Sequence, residues 1–457
     1  MEPVIKPQIF KAYDIRAIYP EELNQKGAEI IGRAVSQFFR QKEKIGRKLR
    51  ITVGRDNRFS SPALFSGLKK GILSEGEELI DIGLSPTPLL YFSVWSRHYD
   101  AGIQITASHN PSQYNGFKIV DKEANIIGIN SGLMKIKEIA LKMLDKKEKS
   151  FPGILKKEKL INDYVEFNLK ELKNAGKLKK LKIVIDTGNA VPGVMVSELK
   201  KRLSCKIIHL FPELDGNFPH HGLNPLEKEN IKYLEKEVKE QKADLGVAFD
   251  GDGDRIVFVD EKGKTIPTDF ITSLMAKIVL KEEKGKFVYN VCSSNIIRDT
   301  VLANGGVPVI WKIGHTFMKE KSKKENAVFG GEYSGHYLLR SHKFCEAPLY
   351  VLFKILEEMG LSGKSITELT QPFKKYFYSG VVNFEVKNKE KKMEKIEKKY
   401  QKGKISHLDG IRIDFPDWWT SVRPSNTEDL LRVVVEANSQ SLMKEKIKEI
   451  TKIISEK

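Results

Sequence analysis

Asp250-Gly251-Asp252-Gly253-Asp254-Arg255 follows directly on the apolar stretch 243–249, so three carboxylates stand at alternate positions past the end of a candidate strand. In extended chain, residues two apart face the same side, and the two glycines let the backbone curl until Asp250, Asp252 and Asp254 converge. Hard oxygen donors in that grouping suit Mg²⁺ or Ca²⁺, and Mg²⁺ in particular shares its shell with phosphate oxygens. An EF-hand counted from Asp250 would put Glu261 in twelfth place, but Arg255 occupies the sixth, where that loop needs glycine, and Ile256-Val257-Phe258-Val259 reads as a strand. An acidic turn that holds nothing would leave three carboxylates repelling one another.

A second polar loop needs the first. Ile103-Gln104-Ile105-Thr106 reads as a buried strand and runs into Ala107-Ser108-His109-Asn110-Pro111, with Asn115-Gly116-Phe117-Lys118 close behind. A serine hydroxyl is a poor nucleophile at neutral pH unless a base takes its proton or a metal stabilises the oxyanion, and His109 or a divalent cation fits either task. Taken alone, Ser108 and Asn110 read first as the closure of a turn before Pro111. A Ser-His-Asp hydrolase lacks its glycine-flanked serine here.

Two further loops carry the same kind of chemistry. Gly330-Gly331-Glu332-Tyr333-Ser334-Gly335-His336 follows the apolar Ala327-Val328-Phe329, and it sets Glu332 and Ser334 two apart to bond neighbouring hydroxyls, with His336 available for proton transfer. By itself it reads equally as a glycine-rich turn. Arg423-Pro424-Ser425-Asn426-Thr427-Glu428 offers a guanidinium, hydroxyls, an amide and backbone N–H groups, the equipment for a phosphate dianion. Ser425 and Glu428 also have capping-box spacing, but Leu431-Arg432-Val433-Val434-Val435 continues as a strand rather than a helix.

The chain has 457 residues, 40% of them hydrophobic, enough for three or four compact domains of roughly 100 to 150 residues. Its formal net charge of +18 would draw phosphate-bearing ligands, although most lysines interleave with glutamates, as over 387–404, in the manner of a solvated helix face. The same charge would suit nucleic acid or an anionic membrane, but no nucleic-acid motif or aromatic platform accompanies it. Cys205, Cys292 and Cys345 are odd in number and scattered, which is neither a disulfide framework nor a zinc spacing. No signal-peptide core and no run of about 18 apolar residues is present, so a cytoplasmic protein without membrane contact is expected.

Apolar strand patterns alternate with helical ones, which predicts α/β units with mixed, mostly parallel sheets. The first block pairs a strand at 50–53 with helices over 61–73 and near Leu89, a strand at 78–82 and the serine-loop strand, and Pro152-Gly153 suggests a linker after it. The second carries a helix over 160–172, strands at 181–185 and 206–210, and a helix over 230–241 before the aspartates. The third carries elements at 270–280, 287–291, 296–302 and 307–310. A last block from about Tyr376 mixes short strands with Lys-rich helices and ends in an amphipathic stretch, 442–454. Each chemical loop follows a strand, where ligands of open α/β sheets bind.

The four loops, in this order, resemble the α-D-phosphohexomutase superfamily, and most closely its phosphomannomutase/phosphoglucomutase group. Lys11-Ala12-Tyr13-Asp14-Ile15-Arg16 and Gly54-Arg55-Asp56-Asn57-Arg58 resemble further signatures of that family, so the likeness spans essentially the whole chain. The resemblance implies three successive α/β domains plus a smaller α+β C-terminal lid domain around a central cleft: a phosphoserine-loop domain (1–152), a metal-binding domain (153–264), a sugar-specificity domain (265–374) and a phosphate-binding lid (375–457). It implies interconversion of hexose 1-phosphate and hexose 6-phosphate of mannose and/or glucose, through phosphorylated Ser108 and a hexose 1,6-bisphosphate that is both intermediate and activator. Mg²⁺ would be held by Asp250, Asp252, Asp254 and Ser108, with Arg255 beside it and His109, Lys118 and His336 as proton-transfer or charge-stabilising groups. Tyr13, Arg16, His315, Glu332 and Ser334 would line the sugar, and Arg423, Ser425, Asn426 and Thr427 would hold the phosphate that is not reacting. His315 reads equally as a helix-capping residue. The expected partners are small hexose phosphates, with the chain a monomer or small homo-oligomer. Two departures stand out: Ala17 replaces a glycine usual in the family, and Val291, in Tyr289-Asn290-Val291-Cys292, replaces a lysine that some relatives set beside the substrate. A phosphoglucosamine mutase, a non-catalytic sugar-phosphate sensor and a phosphatase remain as rival functions.

Overall fold

Strands of β-branched and aliphatic residues, most of them followed by a helix, build the first two-thirds of the protein, and β-β connections interrupt that alternation at the serine and aspartate loops. The computed structural model describes residues 5–144, 151–425 and 429–456. They divide into two compact units, 1–266 with 341–366, and 267–340 with 367–457.

Within the first unit, one six-stranded sheet has β1 (Ile15–Ile18), β2 (Arg50–Arg55), β3 (Glu78–Leu84), β4 (Ala101–Ile105), β5 (Tyr114–Asp121) and β6 (Ile154–Lys157) in the order β1-β5-β4-β2-β3-β6. Strands β4, β2, β3 and β6 run parallel, whereas β5 pairs antiparallel with both β4 and β1. The helix Gln25–Glu43 packs on Ser61–Ser74, and Ile31, Val35, Phe39, Leu64 and Leu68 join Ile51, Val53 and Ile103 in one buried core. Pro152-Gly153 does not end this sheet, because β6 continues it along the edge of β3.

The second sheet has β7 (Lys182–Asp186), β8 (Lys206–Leu210), β9 (Leu245–Phe249) and β10 (Ile256–Val259) in the order β10-β9-β7-β8, parallel except for the hairpin β9–β10. That hairpin excludes an EF-hand, since a strand and not a helix leaves the aspartate loop. Ala17, flagged by its missing glycine, lies buried in β1 opposite Asn115, and its extended backbone accepts any side chain.

In the second unit, β11 (Lys286–Asn290), β12 (Val307–Trp311), β13 (Phe329–Gly331) and β14 (Tyr337–Leu339) run in the order β12-β11-β13-β14, parallel until the final antiparallel pair. The C-terminal sheet is antiparallel, with Leu430–Ala437 at its heart between Trp418–Pro424 and the short strands Phe377–Tyr378 and Val382–Glu385. Helices Lys389–Lys399 and Gln440–Ser455 cover it, burying Ile396, Ile450 and Ile454 against Ile413, Val433 and Val435. Helix Lys389–Lys399 buries only Ile396, as its lysine-glutamate face leads one to expect. Val291, in place of the family's lysine, is buried with Cys292, Trp419 and Val434 in an apolar cluster. The three cysteines are buried and form no disulfide among the described residues. Among the described residues no helix is long and apolar enough to cross a membrane.

Candidate active site

Ser108 leaves the carboxyl end of β4 with a positive φ of 51°, buried, its backbone N–H accepted by Thr106 Oγ1 at 2.9 Å. Non-glycine residues rarely adopt that conformation, and Arg58 holds it. The Arg58 guanidinium is fully buried and donates to the carbonyl oxygens of Ser108 (2.8 Å), Asn110 (2.7 Å), Pro111 (2.6 Å) and Tyr114 (3.0 Å), while Asp56 balances its charge at 3.0 Å.

The aspartate loop leaves the carboxyl end of β9 and meets the serine loop directly. Ser108 Oγ donates to Asp250 Oδ2 at 3.0 Å. A Cβ on Gly251 would stand 2.4 Å from the Ser108 carbonyl oxygen, so glycine is what lets the two backbones touch there, and Gly253 turns the chain with φ +71°. Asp250, Asp252 and Asp254 are all buried and each brings one carboxylate oxygen within 4.8 Å of the others.

Lys118, carried in by β5, donates to Asp252 Oδ2 and Asp254 Oδ2 at 2.6 Å each. Burial alone would push its ammonium down, but the two carboxylates outweigh burial and hold it above the usual lysine range. Arg255 binds Asp250 through Nε at 3.1 Å and through its own backbone N–H at 3.2 Å. Three carboxylates therefore face two side-chain cations in a buried pocket, which leaves one negative charge over. Burial and the neighbouring Asp254 push the Asp250 carboxyl up to about 7. Asp252 Oδ1 is buried with no hydrogen-bond partner. A residual negative charge, an orphaned carboxylate oxygen and an all-oxygen donor set fit a hard divalent cation such as Mg²⁺.

His109 contacts both Ser108 Oγ, at 3.3 Å through Nδ1, and the Arg255 guanidinium through the same nitrogen. Burial and then Arg255 hold its imidazole down to about 2, so it stays neutral at working pH. Arg16 leaves β1 to donate to Asn110 Oδ1 at 2.7 Å and Asp14 at 2.6 Å, which fixes it beside the serine loop. Tyr13 is half-buried just ahead of β1.

The second unit gathers the other predicted residues in two places. Glu332 follows β13, fully buried, and accepts from the Gly314 backbone N–H at 2.9 Å and from Ser334 at 3.3 Å. His336 lies 3.1 Å from Glu332 and 2.8 Å from Ser334, and its ring stacks on His315 at 5.2 Å. Burial would raise the Glu332 carboxyl, but the His336 hydrogen bond and charge win and hold it below the usual range. His315 opens the helix His315–Lys324 as its first residue, so its cap role is not the one it fills.

Arg423 is the penultimate residue of the strand Trp418–Pro424, 3.8 Å from Asp409, with its Nε buried and unpartnered. Ser425 follows, nearly buried, and its N–H closes the hairpin on Leu430 O at 2.8 Å. The capping-box alternative falls, because Leu430 begins a strand. Asn426 and Thr427 lie outside the described residues.

Two residues of the first site escaped the sequence reading. Arg58 sits in the quoted Gly54-Arg55-Asp56-Asn57-Arg58, but nothing local announces that it gathers four carbonyls from another loop. Thr87, in Ser85-Pro86-Thr87-Pro88, donates its hydroxyl to Asp252 Oδ2.

Comparison with known proteins covers nearly the whole chain. Residues 7–144, 162–263 and 267–376 match the phosphoglucomutase/phosphomannomutase alpha/beta/alpha domains I, II and III, and 381–453 match the C-terminal domain of the same family. A phosphomannomutase of Vibrio cholerae is 38% identical over 97% of this chain and 98% of its own length. A phosphomannomutase of Methanocaldococcus jannaschii is 36% identical over 98% and 97% of the two chains. Among solved structures, a phosphoglucomutase/phosphomannomutase family protein from Burkholderia thailandensis superposes with a TM-score of 0.88 at 30% identity, covering 98% of this chain and 97% of that one. Matched along all four domains and by relatives of more than 30% identity over nearly the whole length, the chain belongs to the phosphoglucomutase/phosphomannomutase family.

Proposed function

We propose that this chain interconverts hexose 1-phosphates and hexose 6-phosphates, of mannose, glucose or both, by passing a phosphoryl group through Ser108. The observation that carries this is the 3.0 Å hydrogen bond from Ser108 Oγ to Asp250, which seats the carrier oxygen on the acidic cluster. In the first transfer the P–O bond to Ser108 breaks and a new one forms to a sugar hydroxyl oxygen, whose proton passes to a base. The bisphosphate so formed turns around, and the second transfer returns its other phosphoryl group to Ser108. Mg²⁺ held by Asp250, Asp252, Asp254 and an oxygen on Ser108 would supply charge neutralisation for the transferring group.

The side chains divide the remaining work. Lys118, kept charged by its aspartates, stabilises negative charge rather than removing protons. Arg255 steadies Asp250, and neutral His109 accepts a hydrogen bond beside the serine. We assign proton transfer to His336, which contacts Glu332 and Ser334, and sugar recognition to Glu332, Ser334 and His315 in one unit and to Tyr13 and Arg16 in the other. Arg423, Ser425, Asn426 and Thr427 hold the second phosphate. Each of the divisions 1–152, 153–264, 265–374 and 375–457 carries one such loop, with the edge strand Ile154–Lys157 going to the first sheet. Water must be kept from the phosphoserine, or it would hydrolyse.

Replacement of Ser108 by Ala tests this in a coupled assay with mannose, glucose and glucosamine 1-phosphates. Loss of turnover on the preferred sugar with retained sugar-phosphate binding is expected. Unchanged turnover would remove Ser108 from the phosphoryl path, and preference for the glucosamine ester would make the protein a phosphoglucosamine mutase.

A further inference from the structure

We infer that Thr87 is the positioning residue for Asp252, pinning one of its carboxylate oxygens so that the other faces the cation. The inference rests on the acidic cluster holding a divalent cation, as proposed above. Thr87 is the first residue of the helix Thr87–Arg97 and is fully buried. Its hydroxyl donates to Asp252 Oδ2, and its backbone N–H donates to the Asp252 carbonyl oxygen at 2.8 Å. Lys118 donates to that same Oδ2 at 2.6 Å. Both side-chain donors thus fall on one oxygen, and Oδ1 is left buried without a partner.

A carboxylate turns readily about its terminal torsion, and its two oxygens are otherwise equivalent. Lys118 alone would not decide between them, because an ammonium on a flexible four-carbon stem follows whichever oxygen is presented. Thr87 does decide. Its β-branched side chain has few rotamers in a helix, and the helix start is held against the metal loop by its own backbone bond to Asp252. Pro86 adds a steric stop, since a Cβ on Gly253 would stand 3.2 Å from the Pro86 Cβ. Residues that orient a metal ligand from behind typically change affinity by about 10- to 100-fold when removed.

The test is calorimetric titration of MgCl₂ into the metal-free full chain, with Mn²⁺ binding followed by electron paramagnetic resonance as a second readout. Thr87→Val keeps the shape and loses the hydroxyl, and it should weaken Mg²⁺ binding by about tenfold or more. Thr87→Ser restores the hydroxyl and should bind within about threefold of the unaltered protein. Thermal unfolding of the metal-free variants checks folding, and Thr87→Ala takes the place of Thr87→Val if the latter does not fold. Equal affinity in Thr87→Val and the unaltered protein would overturn the inference while leaving the metal site standing. Equal weakening in Thr87→Ser and Thr87→Val would also overturn it, because packing and not the hydroxyl would be responsible. Failure of the unaltered protein to bind Mg²⁺ would remove the metal site itself, and this inference with it.

Discussion

Ser108 Oγ and Asp250 Oδ2 stand 3.0 Å apart across 142 positions of sequence, and that contact joins two loops from two different sheets into one site. A buried hydroxyl on a buried acidic cluster is costly to assemble unless the cluster serves a charge. The phosphoryl group and the cation proposed here would supply it.

Arg58→Met should lower stability by about 3 to 5 kcal/mol, because Asp56 would be left buried without its counter-charge and four carbonyls of the serine loop would lose their donor. Urea unfolding measures it. Arg58→Lys should recover little, since an ammonium cannot span those directions. A loss near zero for Arg58→Met would show that the serine loop holds its shape unaided.

Lys118→Met should tighten Mg²⁺ binding while abolishing turnover. The ammonium lies 2.6 Å from two of the three carboxylates and opposes a second cation there. Calorimetry reads the affinity, and weaker binding in the variant would mean that Lys118 instead holds the aspartates in place.

Much of this site was legible because its chemistry is local. Alternation of aspartate and glycine after an apolar run places three carboxylates together with no knowledge of the fold, and Ser108 at the end of a β-branched run needed only the period of two. What could not be read depends on distant pairing. Tyr114–Asp121 is a strand, although Asn115-Gly116 has the look of a turn, because β1 packs so close that a Cβ on Gly116 would stand 1.8 Å from Ile15 O. That strand is what delivers Lys118. In the same way β6 extends the first sheet past Pro152-Gly153, where local turn residues suggested a break. Arg58 and Thr87 act on loops 50 and 165 positions away, and no local pattern carries such a partner.

Asp269 should make the second unit more stable in acid than in base. Burial pushes its carboxyl up to about 7, although the Ser294 backbone N–H donates to it at 2.8 Å. A carboxyl raised above its unfolded value contributes stability that is complete below about pH 4 and is lost as pH rises through about 7. Asp269→Asn should remove that slope, on the order of 3 kcal/mol across the window. Denaturation midpoints at pH 5 and 8 compare the two proteins, and an unchanged slope in the variant would place the dependence elsewhere.

Arg423→Ala should raise KM for the sugar phosphate by roughly 10- to 100-fold, the range for loss of a charged hydrogen bond, with a smaller effect on kcat. Its guanidinium is 3.8 Å from Asp409 and keeps Nε unpartnered, so it has capacity left for a phosphate. Steady-state kinetics separate the two constants. A fall in kcat with KM unchanged would give Arg423 a part in the transfer rather than in holding the idle phosphate.

Intact-protein mass spectrometry with phosphopeptide mapping, after incubation with a hexose 1,6-bisphosphate and Mg²⁺, reads the carrier itself. One phosphoryl group on Ser108, discharged when hexose 6-phosphate is added and recovered as bisphosphate, is the predicted result. Turnover with Ser108 unmodified, or a phosphoryl group lodged on another residue, would contradict it.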